Sequence, residues 1–141
     1  MNLPVPGSTY VLDACALIAF LQREPGAEQV ELLLVDAPSQ CAAHALNLCE
    51  VYHDLLRTDG LDLAGQAIND LVTAGVQVRE DMDMPFWQQA GKFKVDPGKL
   101  SLADCFALSL AVRMEAVLVT SDRGEFERIV GLVPCPIQFI R

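Results

Sequence analysis

Apolar residues fall along the chain in two patterns: short runs rich in apolar residues, and longer stretches apolar at every third or fourth position. The short runs are Thr9 to Asp13, Ser39 to Ala43, Val76 to Arg79, Ala116 to Thr120 and Ile137 to Ile140. Their length predicts strands. Thr9-Tyr-Val-Leu-Asp13 is apolar on both faces, as strands of a covered parallel sheet are, whereas Val76-Gln-Val-Arg79 alternates. The longer stretches predict helices over Ala14 to Gln22, Glu28 to Val35, His44 to Thr58, Leu63 to Thr73, Pro85 to Lys94, Ser101 to Glu115 and Glu125 to Val130. Pro25 suits a first helical turn, and Asp59-Gly60, Gly75 and Asp96-Pro97-Gly98 supply stops. Ser101 to Glu115 is apolar nearly all round, which implies burial. Strands alternating with helices predict an α/β fold, layered about a mostly parallel sheet. In such sheets chemistry gathers at the carboxyl ends of the strands.

Composition narrows this further. The 141 residues and 15.4 kDa point to one compact domain. A hydrophobic content of 52% excludes a disordered acidic tail. The net charge of -9 and pI near 4.5 speak against nucleic acid as a partner, because an acidic surface repels phosphates unless cations mask it. Cys15, Cys41, Cys49, Cys105 and Cys135 are odd in number and form no Cys-x-x-Cys pair, so neither a disulfide framework nor a zinc knuckle is expected. Each lies in an apolar run and reads as a small buried hydrophobe, and the set suits a reducing cytoplasm. No basic, apolar leader is expected from the first residues, and no window approaches the roughly 18 apolar residues of a membrane helix.

Four acids stand out. Asp13 ends the first expected strand and Asp122 follows the Ala116 strand, so parallel neighbours would bring them to one edge. Each also precedes a helix, and capping alone could account for it; Asp122 with Glu125 fits a capping box. Asp104 lies near the start of the apolar helix, on a face shared with Leu108 and Ala111. A lone buried carboxylate costs several kcal/mol unless paired or bound to a metal. Glu50 shares the polar face of its helix with Asn47, His53, Asp54 and Arg57, and periodicity alone makes it a solvated residue. His44 and His53 form no ligand motif and read as helix-surface residues. Phosphate-cradling Gly-rich loops and a Gly-x-Ser-x-Gly elbow are absent. Cys15 stands where the Asp-x-Asp pair of a haloacid-dehalogenase-like phosphatase would need its second acid.

Taken in order, four segments resemble the PIN domain family, and within it the VapC-type toxins of bacterial toxin–antitoxin pairs. They are Tyr10-Val-Leu-Asp13-Ala-Cys-Ala-Leu-Ile, Asn47-Leu-Cys-Glu50-Val-Tyr, Leu100-Ser-Leu-Ala-Asp104-Cys-Phe-Ala-Leu-Ser-Leu-Ala and Val119-Thr-Ser-Asp122-Arg-Gly-Glu-Phe. The resemblance runs from Thr9 to the C-terminus. It implies a three-layer α/β/α sandwich and a metal-dependent endoribonuclease. Asp13, Glu50, Asp104 and Asp122 would form its acidic cluster and hold Mg2+ or Mn2+, the choice of an all-oxygen site. A metal-activated water would then attack an RNA phosphodiester in line. The chain departs from the family at Ala14 and Cys15, where the family often has a hydroxyl residue followed by a small polar one. Ser101 and Thr120 remain as hydroxyls that could orient the acids, and Lys92, Lys94, Lys99 and Arg123 are candidates to meet the RNA backbone. The resemblance also implies a homodimer, a cognate antitoxin and a cytoplasmic location. The competing expectation is a PIN-like assembly protein with little or no nuclease activity.

Overall fold

The computed structural model describes residues 3–36 and 40–141. In chain order the elements are β1 (Tyr10–Leu12), α1 (Ala14–Leu21), α2 (Ala27–Asp36), β2 (Cys41–His44), α3 (Ala45–Asp59), α4 (Leu61–Thr73) and β3 (Gln77–Arg79). They continue as α5 (Met84–Phe93), α6 (Leu102–Arg113), β4 (Val117–Thr120), α7 (Arg123–Phe126) and β5 (Ile137–Phe139). A π turn over Lys94–Gly98 follows α5, and a 3-10 turn over Glu127–Ile129 follows α7. The expected elements therefore form, most of them trimmed or shifted by one to two residues. The Ser39 end of the second expected strand lies outside the described residues. Pro25 sits before α2, which starts at Ala27, and not inside its first turn.

All strand pairs are parallel, in the order β3-β2-β1-β4-β5. Side chains alternate across the sheet, and both faces are covered. Tyr10, Leu12, Cys41, Ala43 and Val119 join a core with α1, α2, α3 and α4 on one side. Val11 and Leu118 join a second core with α5, α6 and Phe126 of α7 on the other. This is why the β1 and β4 runs lack a polar face: each residue meets a helical layer. The result is an α/β/α sandwich.

Strand order decides where chemistry can sit. From β1 the chain builds outward through β2 and β3, then returns to β1's other side for β4 and β5. The order reverses between β1 and β4, and the crevice at such a switch point is the preferred site of α/β sheets. Leu12 is in register with Val119, and the Asp13 N–H donates to the Val119 carbonyl at 3.1 Å, so the ends of these two strands are locked together. Among the described residues no helix is long and apolar enough to cross a membrane.

Candidate active site

Asp13 follows β1 and caps α1. Its Oδ1 accepts from the Ala16 N–H at 2.8 Å, while Oδ2 is buried with no hydrogen-bond partner. The residue is 1% exposed. Burial pushes its carboxyl up to about 7; the Thr120 hydroxyl and the Ala16 N–H oppose this, and the charges of Asp104 and Asp122 add to it.

Asp122 follows β4 and caps α7, its Oδ1 accepting from the Glu125 N–H at 3.0 Å. Its own N–H donates to Thr120 Oγ1 at 3.0 Å. The fully buried Thr120 hydroxyl thus accepts from the turn that carries Asp122 and lies close enough to Asp13 to oppose the rise of its carboxyl. Asp104 is the third residue of α6 and closes a capping box with Ser101: the Asp104 N–H donates to Ser101 Oγ at 3.1 Å and the Ser101 N–H to Asp104 Oδ2 at 3.4 Å. Asp104 thus serves as a hydrogen-bonded residue of the helix start, and it is half-buried where the sequence suggested full burial. Burial raises its carboxyl, the Ser101 bonds oppose the rise, and the charges of Glu125 and Asp122 contribute to it. Glu50 is exposed on α3, as its periodicity indicates, yet desolvation and then the Asp104 charge raise its carboxyl.

One thiol reports how these acids converge. Burial, followed by the charges of Asp13, Asp122, Asp104 and Glu50, pushes the Cys15 thiol up to about 12. Cys15 is thus held in its protonated form by the same acids that surround it. Among the described residues, no three His, Cys, Asp or Glu side chains stand close enough to enclose a metal ion as placed. The donor chemistry nonetheless fits one. The charges of Asp104 and Asp122 disfavour charge on Asp13, and the buried, unpartnered Asp13 Oδ2 requires a proton or a cation. An all-carboxylate set suits Mg2+ or Mn2+.

Besides Asp104, and Cys15, which is only partly buried, three residues differ from the sequence expectation. Asn47, expected on a solvated face, is 1% exposed and links α1 to α6. His44 is buried where a surface residue was expected: Nδ1 accepts from the Leu46 N–H at 3.0 Å, Nε2 lies 2.9 Å from the Asp81 carbonyl, and the ring stacks on Phe86. Cys49, expected to be buried, is exposed. A fifth acid was missed. Glu125 acts on Asp104 electrostatically, and its spacing from Asp122 was the available signal.

The four basic candidates divide. Lys94 donates to the Leu100 carbonyl and shapes the segment leading to Ser101. Arg123 donates to the Arg141 carbonyl at 2.7 Å and lies over the Phe139 ring. Lys92 and Lys99 are exposed, and among the described residues their side chains have no hydrogen bond or ion pair. Lys92 lines an open depression of about 720 Å³ with Gln88, Gly91, Val95 and Asp96; none of the four acids borders it.

The sequence model of the PIN domain matches residues 10–132. No curated protein sequence matches the chain significantly. A toxin–antitoxin complex from Klebsiella pneumoniae superposes with a TM-score of 0.72 at 18% identity, covering 94% of this chain and 98% of that one. DNA-bound VapBC from Salmonella typhimurium gives 0.73 at 14%, covering 95% and 99%. VapC20 of Mycobacterium tuberculosis, described as a toxin that cleaves the sarcin–ricin loop, gives 0.68 at 16%, covering 85% and 95%.

Proposed function

The chain belongs to the PIN domain family, and from that premise we propose that it is a metal-dependent endoribonuclease, the toxin of a toxin–antitoxin pair. The observation that carries the reading is the buried Asp13 Oδ2, which lacks any hydrogen-bond partner at the switch point of the sheet and is flanked by the charges of Asp104 and Asp122. The toxin–antitoxin setting rests on likeness to chains of a solved toxin–antitoxin complex and of DNA-bound VapBC over nearly their whole length. A cognate antitoxin, a homodimer and a cytoplasmic location belong to the same proposal.

Asp13, Asp104 and Asp122, with Glu50 at the flank, would hold Mg2+ or Mn2+. When bound, the cation supplies Lewis acidity, making a water acidic enough for in-line attack on a phosphodiester and offsetting charge on the leaving oxygen. The chain's own part is positional. Ala16 holds Asp13 at the start of α1, Thr120 holds the turn that carries Asp122, and Ser101 fixes Asp104 at the head of α6. Four of the nineteen acids belong to the site, which leaves -5 elsewhere on the chain, and two divalent cations would offset the four site charges that otherwise repel RNA. RNA binding should therefore depend on metal. The direct test is cleavage of mixed RNA with Mn2+ and with a chelator. Turnover with Mn2+ that the chelator abolishes supports the reading; equal cleavage in both sinks it.

Lys92 and Lys99, exposed and without side-chain partners among the described residues, are candidates to meet phosphates. Lys92→Ala and Lys99→Ala should each weaken binding to single-stranded RNA across sequences and lower the log–log salt slope by about 0.7. An unchanged slope in a salt titration removes that residue from the interface. A second reading, assembly with little turnover, is favoured by Ala14 and Cys15 in place of hydroxyl residues and by the spread of the carboxylates. It expects antitoxin binding by a chain that leaves RNA intact with Mn2+.

A further inference from the structure

Asn47 stands outside the four acids and touches the backbone beside two of them. Its Oδ1 accepts from the Ala14 N–H at 3.3 Å, immediately after Asp13, and its Nδ2 donates to the Ala103 carbonyl at 3.4 Å, immediately before Asp104. These partners lie 33 and 56 residues away along the chain. The orientation of the amide is fixed by chemistry, because a flip would face donor to donor and acceptor to acceptor. We infer that Asn47 is a positioning residue, whose buried amide sets the separation of Asp13 and Asp104 by bridging the first turns of α1 and α6. This rests on the metal-dependent reading proposed above.

Three observations support the role. The side chain is 1% exposed, so no water substitutes for the bridge from bulk. The Ala14 N–H is one of the orphan donors of a helix start, and it would be left unpaired without the amide. Glu50 follows one turn along α3, so the same helix that braces Asp13 and Asp104 also presents the flanking acid. With Ala14 and Cys15 carrying no hydroxyl, the constraint next to Asp13 comes from across the fold.

The test is Mn2+ binding to the metal-stripped chain by calorimetry or electron paramagnetic resonance, in Asn47→Ala and in Asn47→Leu, which preserves side-chain volume if the cavity of Asn47→Ala prevents folding. Ser109→Ala is the structural control. It removes another buried cross-link of α6, the 2.9 Å bond from Ser109 Oγ to the Phe86 carbonyl, near the opposite end of the helix. Ser109→Ala and the Asn47 variants should all lower the unfolding midpoint. Only the Asn47 variants should weaken Mn2+ binding, by about 10–100-fold. Folded Asn47 variants that bind Mn2+ like the unmodified chain, or a Ser109→Ala loss of equal size, overturn the inference while leaving the metal reading intact. An unmodified chain that binds no Mn2+ overturns both.

Discussion

Asp13→Asn should raise the thermal midpoint of the metal-free protein at pH 8 by about 5–10 °C while abolishing RNA cleavage. The carboxyl titrates at about 7 against an ordinary 3.8, chiefly because it is buried. A shift of roughly three units corresponds to about 4 kcal/mol between the two protonation states. The folded value lies above the unfolded one. Asp13 therefore leaves stability intact below about pH 4 and erodes it as pH rises toward about 7, beyond which the loss is constant. Asparagine keeps the cap, since Oδ1 can still accept from the Ala16 N–H. Its amide N–H2 replaces the unpartnered oxygen among the fields of Asp104 and Asp122, which favour a donor there. Allowing for local relaxation, about 2–3 kcal/mol should be recovered, at roughly 2–4 °C each in a domain of this size. At pH 4 the two proteins should melt together. Mn2+ should raise the midpoint of the unmodified chain and not that of the variant. Thermal melts at both pH values check this, and a gain at pH 4 equal to that at pH 8 would refute the buried-charge account.

The strong periodicities were readable because they arise from local chemistry. Asp13 and Asp122 were placed by the strand-end rule, and the structure puts both at the β1–β4 junction. The rule needed those strands to be neighbours, and that depends on strand order, which no local pattern in the sequence encodes. Asn47 shows the limit most clearly. Its helix has a clean apolar stripe, and Asn47 lies off it. The N-terminal part of α3 is nonetheless enclosed by the starts of α1 and α6, so a polar side chain there is buried against backbone partners far away in sequence. His44 failed for a similar reason: its polar partner lies past β3 and its ring packs on α5 and α6. Glu50 is the converse case. Periodicity correctly placed it in solvent, and only the resemblance to a family gave reason to include it in the site.

The acidic cluster makes opposite demands on stability and function, and Asp104→Asn separates them at a different point from Asp13. Asp104 is only half-buried, and its carboxylate already serves the fold by accepting from the Ser101 N–H. Asparagine retains that acceptor, and the backbone N–H of residue 104 still reaches Ser101 Oγ, so the capping box survives. Stability should change by less than about 1 kcal/mol, against the larger gain at Asp13, because less desolvation is relieved. The charge that would hold a cation at the head of α6 is gone. Losing several kcal/mol of transition-state stabilisation corresponds to at least about 10³-fold in rate. Metal-dependent RNA cleavage should therefore fall nearly to background in a protein that melts like the unmodified chain. The informative comparison is cleavage rate and thermal midpoint on the same preparation. Full activity in Asp104→Asn would remove Asp104 from the catalytic set, and loss of activity accompanied by unfolding would show that its role at the head of α6 is structural.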